Sequence, residues 1–87
     1  MPTIALFWGI RILMYWNDHV PPHFHVEYQE QKAVLGVDPL VVQKGSLPNR
    51  VLRFVLAWAE LHRDDLLQDW ELAREGKPLN FIEGLKA

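Results

Sequence analysis

Polar and apolar positions alternate through the first half of the chain and recur every three or four residues through the second, so the halves are expected to be sheet and helix. Thr3 to Trp8 and Ile10 to Trp16 are rich in β-branched, aromatic and aliphatic residues on either side of Gly9, the pattern of a β-hairpin. A two-residue Trp8-Gly9 turn would pair Phe7 with Ile10, Ala5 with Ile12 and Thr3 with Met14 on one face, and Leu6 with Arg11 and Ile4 with Leu13 on the other. Both faces carry apolar residues, so part of each should be covered. From His23 the alternation is strict: Phe24, Val26 and Tyr28 share one side, and His23, His25, Glu27 and Gln29 share the other. A polar turn, Glu30-Gln31-Lys32, then leads to a fourth strand from Ala33 to Val37, which Asp38-Pro39 breaks. Leu40-Val41-Val42 is a candidate fifth strand before Lys44-Gly45 ends the β half.

The second half reads as helix. Ser46 is the expected N-cap, with Pro48 inside the first turn from about Leu47, where its missing N–H costs nothing. Leu52, Val55, Ala59, His62, Leu66, Trp70 and Ala73 follow in steps of three and four, and Gly76 with Pro78 stops the pattern. Arg50, Arg53 and Glu60 are the main polar exceptions in the first part, so it is expected to be a central buried helix. The later part should turn Asp64, Asp65, Asp69 and Glu71 to solvent. One straight helix from Leu47 to Glu75 would be about 43 Å long, against an expected radius of gyration of about 12 Å for a compact chain of this size. The helix should therefore break near Arg63-Asp64, with Asp64 capping a second helix; an unbroken helix would instead pack its far end on another copy and make a homodimer. In the tail, Leu79, Phe81, Ile82 and Leu85 should fold back over the core or the hairpin.

These elements define an α+β fold: a four- or five-stranded, mostly antiparallel sheet packed on one face by a long or broken C-terminal helix. It is one domain, with a β half over residues 1–44, a helical half over 46–76 and a tail over 77–87. Composition narrows the function classes. The 87 residues include no cysteine, which excludes a disulfide framework and a thiolate metal site. The start carries no basic leader pattern, and no apolar run is long enough to span a membrane, so a cytoplasmic protein with no membrane association is expected. A net charge of −2 leaves nucleic-acid binding only to a local basic patch. Four tryptophans suffice both to fill a small core and to supply an aromatic docking surface.

Chemistry concentrates between Asn17 and Val26, where three of the four histidines and two of the six prolines lie. His23 and His25, at i and i+2 on a strand, point the same way. With His19 swinging in from the rigid Pro21-Pro22 loop and Glu27, or Asp18, as an oxygen ligand, they make a candidate site for a divalent metal such as zinc. The first alternative is acid–base chemistry on a phosphodiester, as in small ribonucleases, by His23 and His25 with Arg11 and Tyr15 supporting the phosphate. The bland alternative is that half-polar rings simply suit the surface of a sheet. His23-x-His25-x-x-x-x-Glu30 is similar to the first cupin metal motif, but the second motif is missing and the strands are too few. His62, Trp58 and Trp70 lie on or beside the helical stripe and read as packing residues.

Taken together, several segments closely resemble the small bacterial domain-of-unknown-function family 4160. They are Met1-Pro2-Thr3-Ile4-Ala5, Gly9-Ile10-Arg11-Ile12, Asp18-His19-x-Pro21-Pro22-His23-Phe24-His25-Val26, Gly45-Ser46-Leu47-Pro48 and Trp58-Ala59-x-Leu61-His62-Arg63, with Leu66-Leu67 and Trp70. The departure is Gln29-Glu30-Gln31, which stands where the family's pattern has a glycine-containing turn. The resemblance implies a genomic setting, in which such genes often lie beside one for another small domain of unknown function, as in a toxin–antitoxin or regulatory pair. On that basis the chain is expected to bind a small cognate protein encoded by the neighbouring gene. Asp18, His19, Pro21, Pro22 and Phe24 are the expected binding residues, and a histidine-based enzyme is the alternative.

Overall fold

In the computed structural model, which describes residues 2–86, five strands precede two helices. They are β1 (Thr3–Phe7), β2 (Ile10–Leu13), β3 (His23–Tyr28), β4 (Gln31–Gly36), β5 (Val42–Gly45), α1 (Asn49–Leu61) and α2 (Arg63–Arg74). The strands form one antiparallel meander in the order β1-β2-β3-β4-β5. Paired residues share a face, so Ala5, Phe7, Ile10, Ile12, Phe24, Val26, Ala33 and Leu35 line one side. The helices cover that side. Trp58 of α1 is fully buried and lies 5.6 Å from the ring of Phe7 and 6.1 Å from that of Phe24, centre to centre. The opposite face carries Arg11, Leu13, His23, His25, Glu27, Lys32, Val34 and Lys44. It is the open face, and the functional candidates lie on it.

The first hairpin turns at Trp8 and Gly9, both at positive φ (52° and 79°), which makes the two-residue turn match the twist of its strands. The expected pairs of Phe7, Leu6 and Ala5 are present, but Thr3 pairs with Leu13 instead of Met14, and Ile4 is the extra residue of a bulge. The bulge lets Ile4 and Ala5, consecutive in sequence, both reach the core. The second hairpin turns one residue earlier than expected, at Gln29-Glu30, with Gln29 at φ 54° in place of a glycine, so β4 begins at Gln31. The fifth strand is displaced two residues, to Val42–Gly45, and Lys44-Gly45 belongs to it instead of ending the sheet. Only Gly fits at position 45: φ is +80°, and a Cβ would meet the Lys32 carbonyl.

Pro48, in extended geometry (φ −54°, ψ 143°), occupies the N-cap position that Ser46 was expected to take, and the helix starts at Asn49. Ser46 N–H instead donates to the Lys32 carbonyl, which holds it to the sheet. The helix breaks at His62 (φ −115°, ψ 27°), one residue before the expected break; no side chain caps the second helix, and Asp64 lies inside its first turn. The broken helix gives a radius of gyration of 11.8 Å. Three expectations about burial are corrected. The first helix is buried on one side only, through Val51, Val55, Trp58 and Ala59, because a two-layer fold leaves its far side wet; Leu61 is 72% exposed. Asp69 is fully buried, because it falls on the inward face of α2 beside Leu66, Trp70 and Ala73. In the tail, Ile82 is buried and its N–H bonds to the Ile4 carbonyl, but the neighbouring Phe81 points away and is 63% exposed. Among the described residues no helix is long and apolar enough to cross a membrane.

Candidate functional site

The loop from Met14 to Pro22 is held at both ends before it presents any chemistry. Trp16 donates its indole N–H to the Lys77 carbonyl (2.9 Å), and Asn17, at φ 56°, donates its backbone N–H to the Ala73 carbonyl at the end of α2 (3.4 Å). At the other end the Pro22 carbonyl accepts from Val37 N–H (3.1 Å). Between these anchors Asp18 reaches back over the open face of β3. Its Oδ2 lies 2.9 Å from His23 Nε2 and 3.1 Å from His25 Nε2, so one carboxylate oxygen meets two imidazoles. Its Oδ1 accepts the His19 backbone N–H (2.8 Å).

Charge and proton positions follow from these partners. Burial works to raise the Asp18 pKa, but hydrogen bonds from His25, the His19 amide and His23, with the charge of His23, outweigh it and hold the carboxyl below its usual range. The Pro21 carbonyl can only accept, and it lies 3.0 Å from His23 Nδ1, so that nitrogen carries a proton. Nε2 of His23 is therefore the atom that faces Asp18. The rings are also packed: Tyr15 stands edge-on to His25 at 4.4 Å between ring centres, and His23 lies 5.1 Å from Trp70.

Beside His25 the open face forms a cleft of about 360 Å³ lined by Tyr15, Glu27, Lys32, Val34 and Lys44. Strand register brings these together, since Val34 faces both His25 and Lys44, and Lys32 faces Glu27. Two lysines, an imidazole and a phenol thus share the cleft with the Glu27 carboxylate.

The expected site residues thus divide. His23, His25 and Asp18 converge, and Tyr15 joins them through His25. His19 is exposed, contributes its backbone, and lies outside the convergent set. Glu27 pairs with Arg11 (3.5 Å), and Arg11 Nε donates to Thr3 Oγ1 (2.9 Å), which ties that guanidinium to the sheet. Pro21 acts through its carbonyl, and Pro22 through its own. Phe24, expected on the binding surface, is fully buried against Trp58, as the strand's alternation requires. Sequence reasoning gave no role to Asp69. It accepts Asn80 N–H at Oδ1 (2.9 Å), its Oδ2 is buried without a hydrogen-bond partner among the described residues, and burial pushes its pKa up. Its spacing of three from Leu66, and its place next to Trp70, was the available signal.

No curated protein and no solved structure matches the chain. The pattern of one family matches residues 9–71, a span that takes in the turn at Gly9, the Asp18–His25 segment and nearly all of both helices. The chain therefore belongs to the family described as Domain of unknown function (DUF4160).

Proposed function

We propose that the chain is a small cytoplasmic bacterial interaction module, one half of a toxin–antitoxin-like or regulatory pair, which docks its cognate partner on the Asp18–Glu27 face. The observation that carries this reading is a fixed polar cluster flanked by exposed apolar side chains on one tethered loop. Trp16 is 46% exposed and Val20 is 64% exposed. Trp16 is also held in place by its bond to Lys77, so little ordering entropy remains to be lost on docking. A preordered tryptophan beside desolvatable polar groups is the composition of an interface centre. The family resemblance supplies the partner class, a small protein encoded by the neighbouring gene, and self-association is the competing outcome.

Co-expression with that neighbouring protein tests the reading. Co-purification should occur with the wild type, fall at least about tenfold in Trp16→Ala and in His23→Ala/His25→Ala, and persist in Leu61→Ala, whose site lies on α1. A complex that survives all three changes, or none forming at all, contradicts it.

A second reading, histidine-based acid–base chemistry on a phosphodiester, is favoured by the cleft that joins His25 and Tyr15 to Lys32 and Lys44. Its signature is separable. His25→Ala would abolish cleavage of a short RNA while leaving the fold and the partner bound, and Lys44→Ala would raise KM more than it lowers kcat.

A further inference from the structure

We infer that Asp18, His23 and His25 form a binding site for one first-row divalent metal ion, zinc foremost, through Asp18 Oδ2 and the Nε2 atoms of both histidines. The three donor atoms lie within 4.8 Å of one another, and Asp18 Oδ2 is 2.9 Å and 3.1 Å from the two nitrogens. Zinc–ligand bonds of about 2.0–2.1 Å set neighbouring ligand atoms about 2.9 to 3.4 Å apart at right-angled to tetrahedral geometry. The two oxygen–nitrogen separations already fall in that range.

The atoms behind the donors point the same way. Metal-ligating histidines commonly donate their other ring N–H to a carbonyl, which turns the free nitrogen toward the ion. His23 does this through Nδ1 and the Pro21 carbonyl. The Asp18 carboxylate is fixed in the same manner, with the His19 amide on Oδ1 leaving Oδ2 for the site. The loop that supplies the carboxylate is anchored at both ends, and the strand that supplies the imidazoles is central in the sheet, so the ligands are held on rigid elements. One divalent cation would take the lone pairs of all three donors at once.

Donor chemistry selects the metal. Two imidazoles and one carboxylate suit zinc, iron, manganese or nickel better than calcium or magnesium, which prefer all-oxygen shells. Three protein ligands also leave at least one position open, and His25 borders the cleft, so that position would lie close to whatever enters it. Of the ligands expected from sequence, His23, His25 and Asp18, one of the two carboxylates considered, converge, whereas His19 and Glu27 do not. The site does not depend on a protein partner.

The test is calorimetric titration of the untagged full chain with zinc chloride, then with manganese and nickel, together with cobalt(II) absorption spectra. One zinc per chain should bind, the melting temperature should rise with zinc, and cobalt should give visible bands of nitrogen–oxygen coordination. His25→Gln and Asp18→Asn should each weaken binding by at least about 100-fold, whereas His19→Ala and Glu27→Gln should leave it within about twofold. Circular dichroism of each variant separates lost ligation from lost fold, and the cobalt spectrum of the wild type needs no variant. No heat, no bands and no rise in melting temperature would overturn the assignment. So would binding that persists unchanged in folded His25→Gln and Asp18→Asn, or binding that is lost in His19→Ala.

Discussion

Asp18 and Asp69 show how position divides one residue type between two opposite roles. Asp18 is held ionised by donors gathered on it, whereas Asp69 is pushed toward its neutral form because burial costs more than its one hydrogen bond from Asn80 returns. For Asp69 the linkage has a definite sign. Its folded pKa lies above the ordinary value of 3.8, so between the two the folded state holds a proton that the unfolded state has released, and stability falls as pH rises. Thermal melts from about pH 4 to about pH 7 should therefore show the wild type losing stability relative to Asp69→Asn, which carries no charge at any pH. A difference that stays flat would mean that Asp69 has a charged partner. The pattern of side chains hid Asp69 because an acid among acids reads as a wet helix face. It also left the carboxylate of the cluster undecided between Asp18 and Glu27. Strand alternation placed His23 and His25 together, but whether Asp18 reached them depended on how the Pro21-Pro22 turn folds the loop back.

At the scale of elements, the alternation and the three-to-four spacing gave the kind and order of strands and helices and left their number open between four and five strands and one or two helices, because a half-buried strand and an amphipathic helix leave different periods. Boundaries were legible only where a side chain marks them. A break was anticipated from length and placed within one residue of His62 by Asp64, although Asp64 does not cap the second helix; the start of α1 was not anticipated, since Pro48 accepts the cap position that Ser46 would otherwise fill. The fifth strand was displaced because its placement rests on backbone pairing with β4 and on Gly45, not on apolar content; all four of its residues are exposed. Two glycines at positive φ test this. Gly45→Ala forces both an unfavourable φ and a collision with the Lys32 carbonyl, and should destabilise by about 2 to 4 kcal/mol in urea unfolding. Gly76→Ala meets open space and should cost only about 1 kcal/mol. Equal effects would show that the β4–β5 register is not what Gly45 protects.

The whole molecule joins the site to the tail. The segment after α2 bonds Ile82 to β1, offers the Glu83 carbonyl to the buried Trp58 indole (2.9 Å) and offers the Lys77 carbonyl to Trp16, so the core and the site loop share one clamp. Ile82→Ala should lower stability by about 2 to 4 kcal/mol in chemical unfolding, and without denaturant it should also broaden the signals of Trp16 and Asp18; a loss of stability without loop broadening would separate the two roles. The overall size was legible in the sequence, but the tail's bonds to β1 and Trp58 were not, because on the tail's side they are made by backbone groups that carry no residue signature. The claim on which the account turns is that one oxygen of Asp18 meets Nε2 of both His23 and His25. Long-range proton–nitrogen correlation spectra of the four imidazoles measure this directly in the wild type and in Asp18→Asn. A proton should be found on Nδ1 of His23, and Nε2 of His23 and His25 should shift on substitution, with His19 and His62 unmoved. Unchanged nitrogen shifts at both His23 and His25 in a folded Asp18→Asn protein would contradict it.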